Sequence, residues 1–162
     1  MGYYYEEINS DIKANQAYLK AFNLEPNNTN ANLYYASFLC HLNDFNEANQ
    51  KFNYLLNLKD NIILGESNQA YALCLLKQEN IEKAKTYFEN ALQYNPKLPF
   101  SYFNLADISF NEGNYENADN LMRYYKNHFK ENKKSLTLQM QIAEKLGEDN
   151  KAASIRLRLA SI

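Results

Sequence analysis

Apolar positions along this chain recur at helical spacing, in two kinds of segment that alternate. The first kind mixes aromatic, aliphatic and small residues: "NANLYYASFLCHL" at 30–42, "ESNQAYALCLLK" at 66–77 and "PFSYFNLADISFN" at 99–111. Each is long enough for three helical turns and is free of internal glycine and proline, so each predicts a helix. A short polar turn follows each one: "ND" at 43–44, "EN" at 79–80 and "GN" at 113–114. The second kind of segment then begins. Its plainest form is "KAKTYFENALQYNP" at 83–96, echoed by "IKANQAYLKAFNLEP" at 12–26. Both read Ala, three residues, an aromatic, two residues, Ala, four residues, Pro. The spacing predicts helices here too, the earlier one over 10–23. Asp44, Asn80 and Asn114 are well suited to cap the second helices, because a short side-chain oxygen accepts an orphan backbone N–H. Asp44 with Glu47 has the form of a capping box. Pro26 and Pro96 stop helices that a proline cannot continue.

The alternation has a period. Ala14 to Ala48 is 34 residues, Ala48 to Ala84 is 36, and Ala84 to Ala118 is 34. The two extra residues fall most simply in "KDNIILG" at 59–65. Self-similarity at such a period means that each unit buries its apolar face only against its neighbours. The units are a partial repeat at 1–28 and repeats at about 29–64, 65–98 and 99–132. A closing helix pair spans 133–162, in which Gly147 marks the turn and Ala153, 35 residues after Ala118, is expected to hold the register. The first unit lacks its first helix apart from "GYYYEE", so the chain reads as starting inside a repeat, with more sequence expected upstream.

A 34-residue helix–turn–helix unit with small residues at fixed places resembles the tetratricopeptide repeat. The matching residues are Tyr35, Ala36, Leu39, Ala48 and Phe52; then Tyr71, Ala72, Leu75, Ala84, Phe88, Ala91 and Pro96; then Tyr102, Leu105, Ala106, Ala118 and Met122. The departures are the absence of Trp, Ala in place of the usual Gly, and no closing Pro after two of the units. The expected fold is therefore all-α, a single α-solenoid domain over 1–162 whose repeats form a right-handed superhelix.

Across residues 30–162 the order of motifs is more specific, and is similar to the type IV pilus biogenesis lipoproteins of the PilF/PilW type, which are tetratricopeptide pilotins. The residues that carry it are Glu66, Ala84-Lys85, Tyr87-Phe88-Glu89, Ala106-Asp107, Ser135-Leu136, Ile142-Ala143, Glu148-Asp149 and Ala152-Ala153-Ser154. Several of these, Asp107 and Glu148-Asp149 among them, are not demanded by the repeat. The resemblance implies a lipoprotein on the periplasmic face of the outer membrane that helps a secretin subunit reach that membrane and assemble. The family's signal peptide and lipidated Cys are not part of this chain, so membrane contact would run only through an anchor that the chain lacks. The alternative expectation is a cytoplasmic tetratricopeptide scaffold or secretion chaperone.

In such repeats the first helix lines the binding face. The stripe predicted to meet a partner is Leu33 and Ser37, continued by Cys40, in one repeat; Gln69, Leu73 and Leu76 in the next; and Phe100, Phe103, Asp107 and Phe110 in the third. It is apolar with one carboxylate, which suits an apolar peptide or an amphipathic helix. It offers almost no cation, which speaks against a clamp for a C-terminal carboxylate. Arginine comes late, at Arg123, Arg156 and Arg158.

Charge and chemistry narrow the picture by subtraction. There are 17 basic and 19 acidic residues, a formal charge of −2, so no basic surplus points to nucleic acid. No apolar run is long enough to cross a bilayer. No nucleophile–base pair, phosphate loop or paired carboxylates appear, so neither an enzyme nor a cofactor is expected. Cys40, His41 and Cys74 fall short of the four ligands that a zinc site requires. The two cysteines read as buried thiols packed as small hydrophobes. A disulfide between them is conceivable in an oxidising compartment, but its geometry between helices is demanding. The tyrosine runs at 3–5, 34–35 and 124–125 read as packing residues with a wet hydroxyl. Oligomeric state is left open.

Overall fold

A computed structural model describes residues 10–161, which excludes the tyrosine run at 3–5. Every regular element among the described residues is a helix: α1 (Asp11–Leu24), α2 (Thr29–His41), α3 (Phe45–Leu56), α4 (Leu64–Lys77), α5 (Ile81–Tyr94), α6 (Pro99–Asn111), α7 (Tyr115–His128), α8 (Lys133–Lys145) and α9 (Asp149–Leu159). They divide after Pro96 into two compact units.

The predicted caps form. Asp44, Asn80 and Asn114 accept from the backbone N–H of Glu47, Lys83 and Asn117. The reciprocal half of a capping box is made instead at the start of α8, where Asn132 and Ser135 satisfy each other's backbone N–H. Glu47 turns its carboxylate to the hydroxyl of Tyr35, 3.3 Å away. The turns between paired helices share one backbone device. Asn43, Glu79, Gly113 and Gly147 take positive φ of 63, 60, 80 and 72°. In each, the next residue's N–H reaches back to a carbonyl of the last helical turn, at 2.8–2.9 Å (Asp44 to Leu39, Asn80 to Leu75, Asn114 to Ser109, Glu148 to Ala143). This left-handed stop satisfies the helix-end carbonyls and sets the reversal angle.

In the first unit α2 packs on α3 and α4 on α5, while α1 packs on α2, α3 on α4, and α2 on α4. Ala14, Ala36, Ala48, Ala72 and Ala84 have no solvent exposure, which lets the backbones approach. The residue four places after the second-helix Ala fills the gap: Tyr18, Phe52 and Phe88 are buried, and Phe52 stacks on Tyr71 at 4.9 Å. The two-residue insertion is absorbed ahead of Gly65, where α4 meets the end of α5. A Cβ at Gly65 would stand 2.7 Å from Cβ of Asn95, so only glycine permits this approach.

One expectation is overturned here. Cys40 and Cys74 are not free thiols: they form a disulfide, with Cα atoms 5.8 Å apart. The two residues are 34 positions apart, one repeat period, and this brings the last turns of α2 and α4 side by side. Lys77 binds the same junction, donating to the carbonyls of Cys40 at 3.1 Å and His41 at 2.8 Å. With both sulfurs bonded to each other, neither is available to a metal.

In the second unit α6 packs on α7, α8 on α9, α7 on α8 and α6 on α8. Its core holds Ala106, Ala118, Met122, Tyr125, Leu138 and Ile142. The register residue of α9 is Ala152, 3% exposed and 34 residues after Ala118, and not Ala153, which is exposed. The sequence offers two adjacent alanines, and only the exact repeat period points at the buried one.

Candidate functional site

The predicted partner-facing residues fall into two groups, one in each unit. In the first unit, Leu33 and Ser37 on α2 and Gln69 and Leu76 on α4 are half-buried, while Leu73 is exposed. Cys40 leaves the stripe for the disulfide. Tyr34, which the sequence reading assigned to packing, is instead 57% exposed on α2. Its neighbour Tyr35 is the packing residue, 3% exposed.

In the second unit the structure gathers Phe100, Phe103 and Asp107 and sends Phe110 elsewhere. Phe110 meets Tyr115 with ring centres 5.4 Å apart and packs on the core. Phe100 is 62% exposed. It shares a hollow of about 190 Å³ with Phe103, Asn104, Tyr125, Asn132 and Lys134. On the other side of Phe103 lies a second hollow, about 270 Å³, lined by Phe103, Asp107, Lys133, Lys134, Thr137, Leu138 and Gln141. Phe103 is the ridge between them, half-buried because its inner edge rests on the core.

The first-helix stripe offers almost no cation, but this face does carry cations. Lys133 and Lys134 come from the first turn of α8, an element outside the three stripes, and line the hollow that Asp107 also lines. Neither forms an ion pair among the described residues. Their place is unfavourable for the helix, since the N-terminal end of the macrodipole disfavours positive charge. The signal was present as "NKK" at 132–134, an N-cap followed by two lysines where acidic residues are the usual choice. Asp107 is half-buried with no hydrogen-bond partner among the described residues, and burial pushes its carboxyl above the ordinary 3.8. The arrangement is an aromatic ridge with a desolvated carboxylate and two uncommitted lysines at its edge. It can hold an apolar side chain on either side of Phe103 and an anionic group near the lysines.

The tetratricopeptide repeat model matches residues 65–98, and a second version of it matches 101–123. The type IV pilus assembly protein PilF of Pseudomonas aeruginosa is 26% identical over 149 residues, which cover 90% of this chain and 58% of that protein. The chain thus spans less than two thirds of that relative. Among solved structures, Pseudomonas aeruginosa PilF has a TM-score of 0.89 at 23% identity, covering 98% of this chain and 71% of that one. PilW, described as a widely conserved type IV pilus biogenesis factor, has a TM-score of 0.86 at 23% identity, covering 99% and 74%. MamA follows at 0.80 and 14% identity, covering 99% and 93%. At these identities the structural likenesses establish the fold, an all-α array of tetratricopeptide repeats, and the sequence relative adds similarity to a pilus assembly protein.

Proposed function

We propose that this chain is a non-catalytic binding module of type IV pilus biogenesis, a pilotin that engages an outer-membrane secretin subunit from the periplasmic side. The observation that carries the reading is the similarity to PilF, 26% identity along 90% of the chain. The Cys40–Cys74 disulfide supports an oxidising compartment. Such bonds persist in the periplasm and are rare in the cytosol, so the bond counts against the cytoplasmic scaffold.

The partner segment in this reading is apolar and lies across Phe100 and Phe103, flanked by Lys134. The test is direct binding between the purified chain and soluble segments of the secretin encoded in the same genome, read by isothermal titration. Phe100→Asp is the informative variant, because an exposed residue is replaced and folding should survive. It is expected to weaken binding by about tenfold or more, as loss of an aromatic anchor does. Phe103→Asp should weaken it further, with circular dichroism confirming an intact helix content. No binding to any secretin segment would sink the pilotin reading. Full binding by both variants would instead remove this face and leave the partner in place.

A further inference from the structure

The second unit carries another hollow, lined by different residues, that the reading above leaves without a role. It occupies about 260 Å³ between α7 and α9, and its lining includes Arg123, Lys126, Lys151 and Arg158 around a floor of Met122 and Ile155. Two largely buried carboxylates hold three of these cations in place. Asp119 pairs with Arg123 at 2.6 Å through one oxygen and with Lys151 at 2.7 Å through the other. Glu131 pairs with Arg158 and accepts from Gln139 at 2.9 Å. Lys151 also pairs with Glu148 at 2.7 Å. Lys126 forms no direct ion pair among the described residues, though its charge acts on Glu131 from a longer distance.

We propose that this hollow is a binding site for a phosphate-type oxyanion. Four cations line one small cavity, while only one of the lining residues, Asp119, is acidic. Like charges gathered so closely repel each other unless an anion is shared. Asp119, Glu131 and Glu148 offset three of the four charges, which leaves one positive charge in excess at the cavity. A guanidinium bound through one edge keeps further N–H donors, and Arg123 and Arg158 each have such donors to spare. Their pairing to buried carboxylates fixes their direction, so an incoming oxyanion meets donors that are already oriented. The cavity is of a size for a phosphate group, and its apolar floor suits the carbon side of a phosphomonoester or a phospholipid headgroup. The site lies on the second helices of the repeats and is separate from the Phe103 face, so it is independent of the pilotin reading.

The experiment is heteronuclear NMR titration of the whole chain with inorganic phosphate and pyrophosphate at constant ionic strength, chloride serving as reference. Saturable shifts at Arg123, Lys126, Lys151 and Arg158 are expected. Lys126→Gln together with Arg123→Gln should lower the affinity by about tenfold or more, while Lys83→Gln on α5 should leave it unchanged. A parallel arm measures co-sedimentation with vesicles of anionic phospholipid and with neutral phosphatidylcholine vesicles. Binding to anionic vesicles through the same residues assigns the site to a membrane headgroup, and binding to phosphate alone assigns it to a soluble ligand. Absence of saturable binding in both arms, or affinity unchanged in the double variant, overturns the proposal.

Discussion

Reduction of the Cys40–Cys74 bond is the sharpest perturbation the fold offers, because it changes no side-chain volume. The bond closes a loop of 34 residues. In the chain-entropy account, such a loop restricts the unfolded chain by about 12–13 cal/mol/K, or about 3.8 kcal/mol at 25 °C. That is a large share of the roughly 5–15 kcal/mol that holds a typical domain together. Both cysteines are buried, at 6% and 2% exposure, so reductant reaches them only through local opening. The reduced protein should therefore be prepared by unfolding, reducing and refolding under a phosphine. Urea unfolding then compares the two forms. At a slope of about 2 kcal/mol/M, the midpoint of the first unit is expected to fall by roughly 2 M on reduction. Hydrogen exchange should place the loss in α2, α3 and α4, because repeat arrays distribute stability locally. Equal midpoints for the oxidised and reduced forms would refute the reasoning. Two alkylatable thiols in protein isolated from cells would refute the bond itself.

Two further outcomes follow from the same geometry. Glu79 stands at φ 60°, where the corresponding residues are Asn43, Gly113 and Gly147; Glu79→Gly should relieve left-handed strain and raise stability by about 0.5–1 kcal/mol, read as a higher thermal midpoint. Asp119 and Glu131 are held below their ordinary values of 3.8 and 4.5: burial alone would raise both, but hydrogen bonds from Lys151 and Arg123 to Asp119, and from Gln139 and Arg158 to Glu131, outweigh it. A depressed carboxyl stabilises above its unfolded value, so this contribution is complete at neutral pH and drains away as pH falls below about 4.5. Arg158→Gln should lower stability at pH 7 by about 1 kcal/mol and flatten the acid limb of the stability curve, as measured by urea midpoints across pH.

The sequence made the architecture readable because the repeat writes each rule several times. Four alanines in register, three short polar caps and two terminating prolines all state the same helix–turn–helix unit, and each had a structural counterpart. What escaped it was whatever depends on a neighbour one period away. The disulfide looked demanding when Cys40 and Cys74 were judged as residues on separate helices. It becomes natural once their separation of 34 is recognised as the repeat period itself. A loose register cannot choose between Ala152 and Ala153 for the same reason, and it is Ala152 that is buried. The cations at the Phe103 face are not legible in the first-helix stripes, because Lys133 and Lys134 enter from the start of α8. Phe110 sits at the right spacing for the stripe, but Tyr115 across the turn draws it inward.

The second unit uses carboxylates in two opposite ways, and the contrast bears on where function lies. Asp119 is buried and Glu131 partly buried, and both are fully engaged, so their carboxyls are easier to ionise than usual, and they support the fold. Asp107 is half-buried without a partner, so burial makes it harder to ionise, and it works against the fold at neutral pH. Beside it stand two lysines at the end of a helix that disfavours them. Phe100 adds a large apolar ring that is 62% exposed. Each of these choices lowers stability, and all three meet along one face around Phe103. Packing accounts for none of them. A ligand with an apolar segment and an acidic group would relieve all of them together: Phe100 would be covered, and the lysines would find a counter-charge. Other local rules are broken singly, as at Glu79 with its positive φ, whereas here three breaks share one face, which is what the proposed binding role requires.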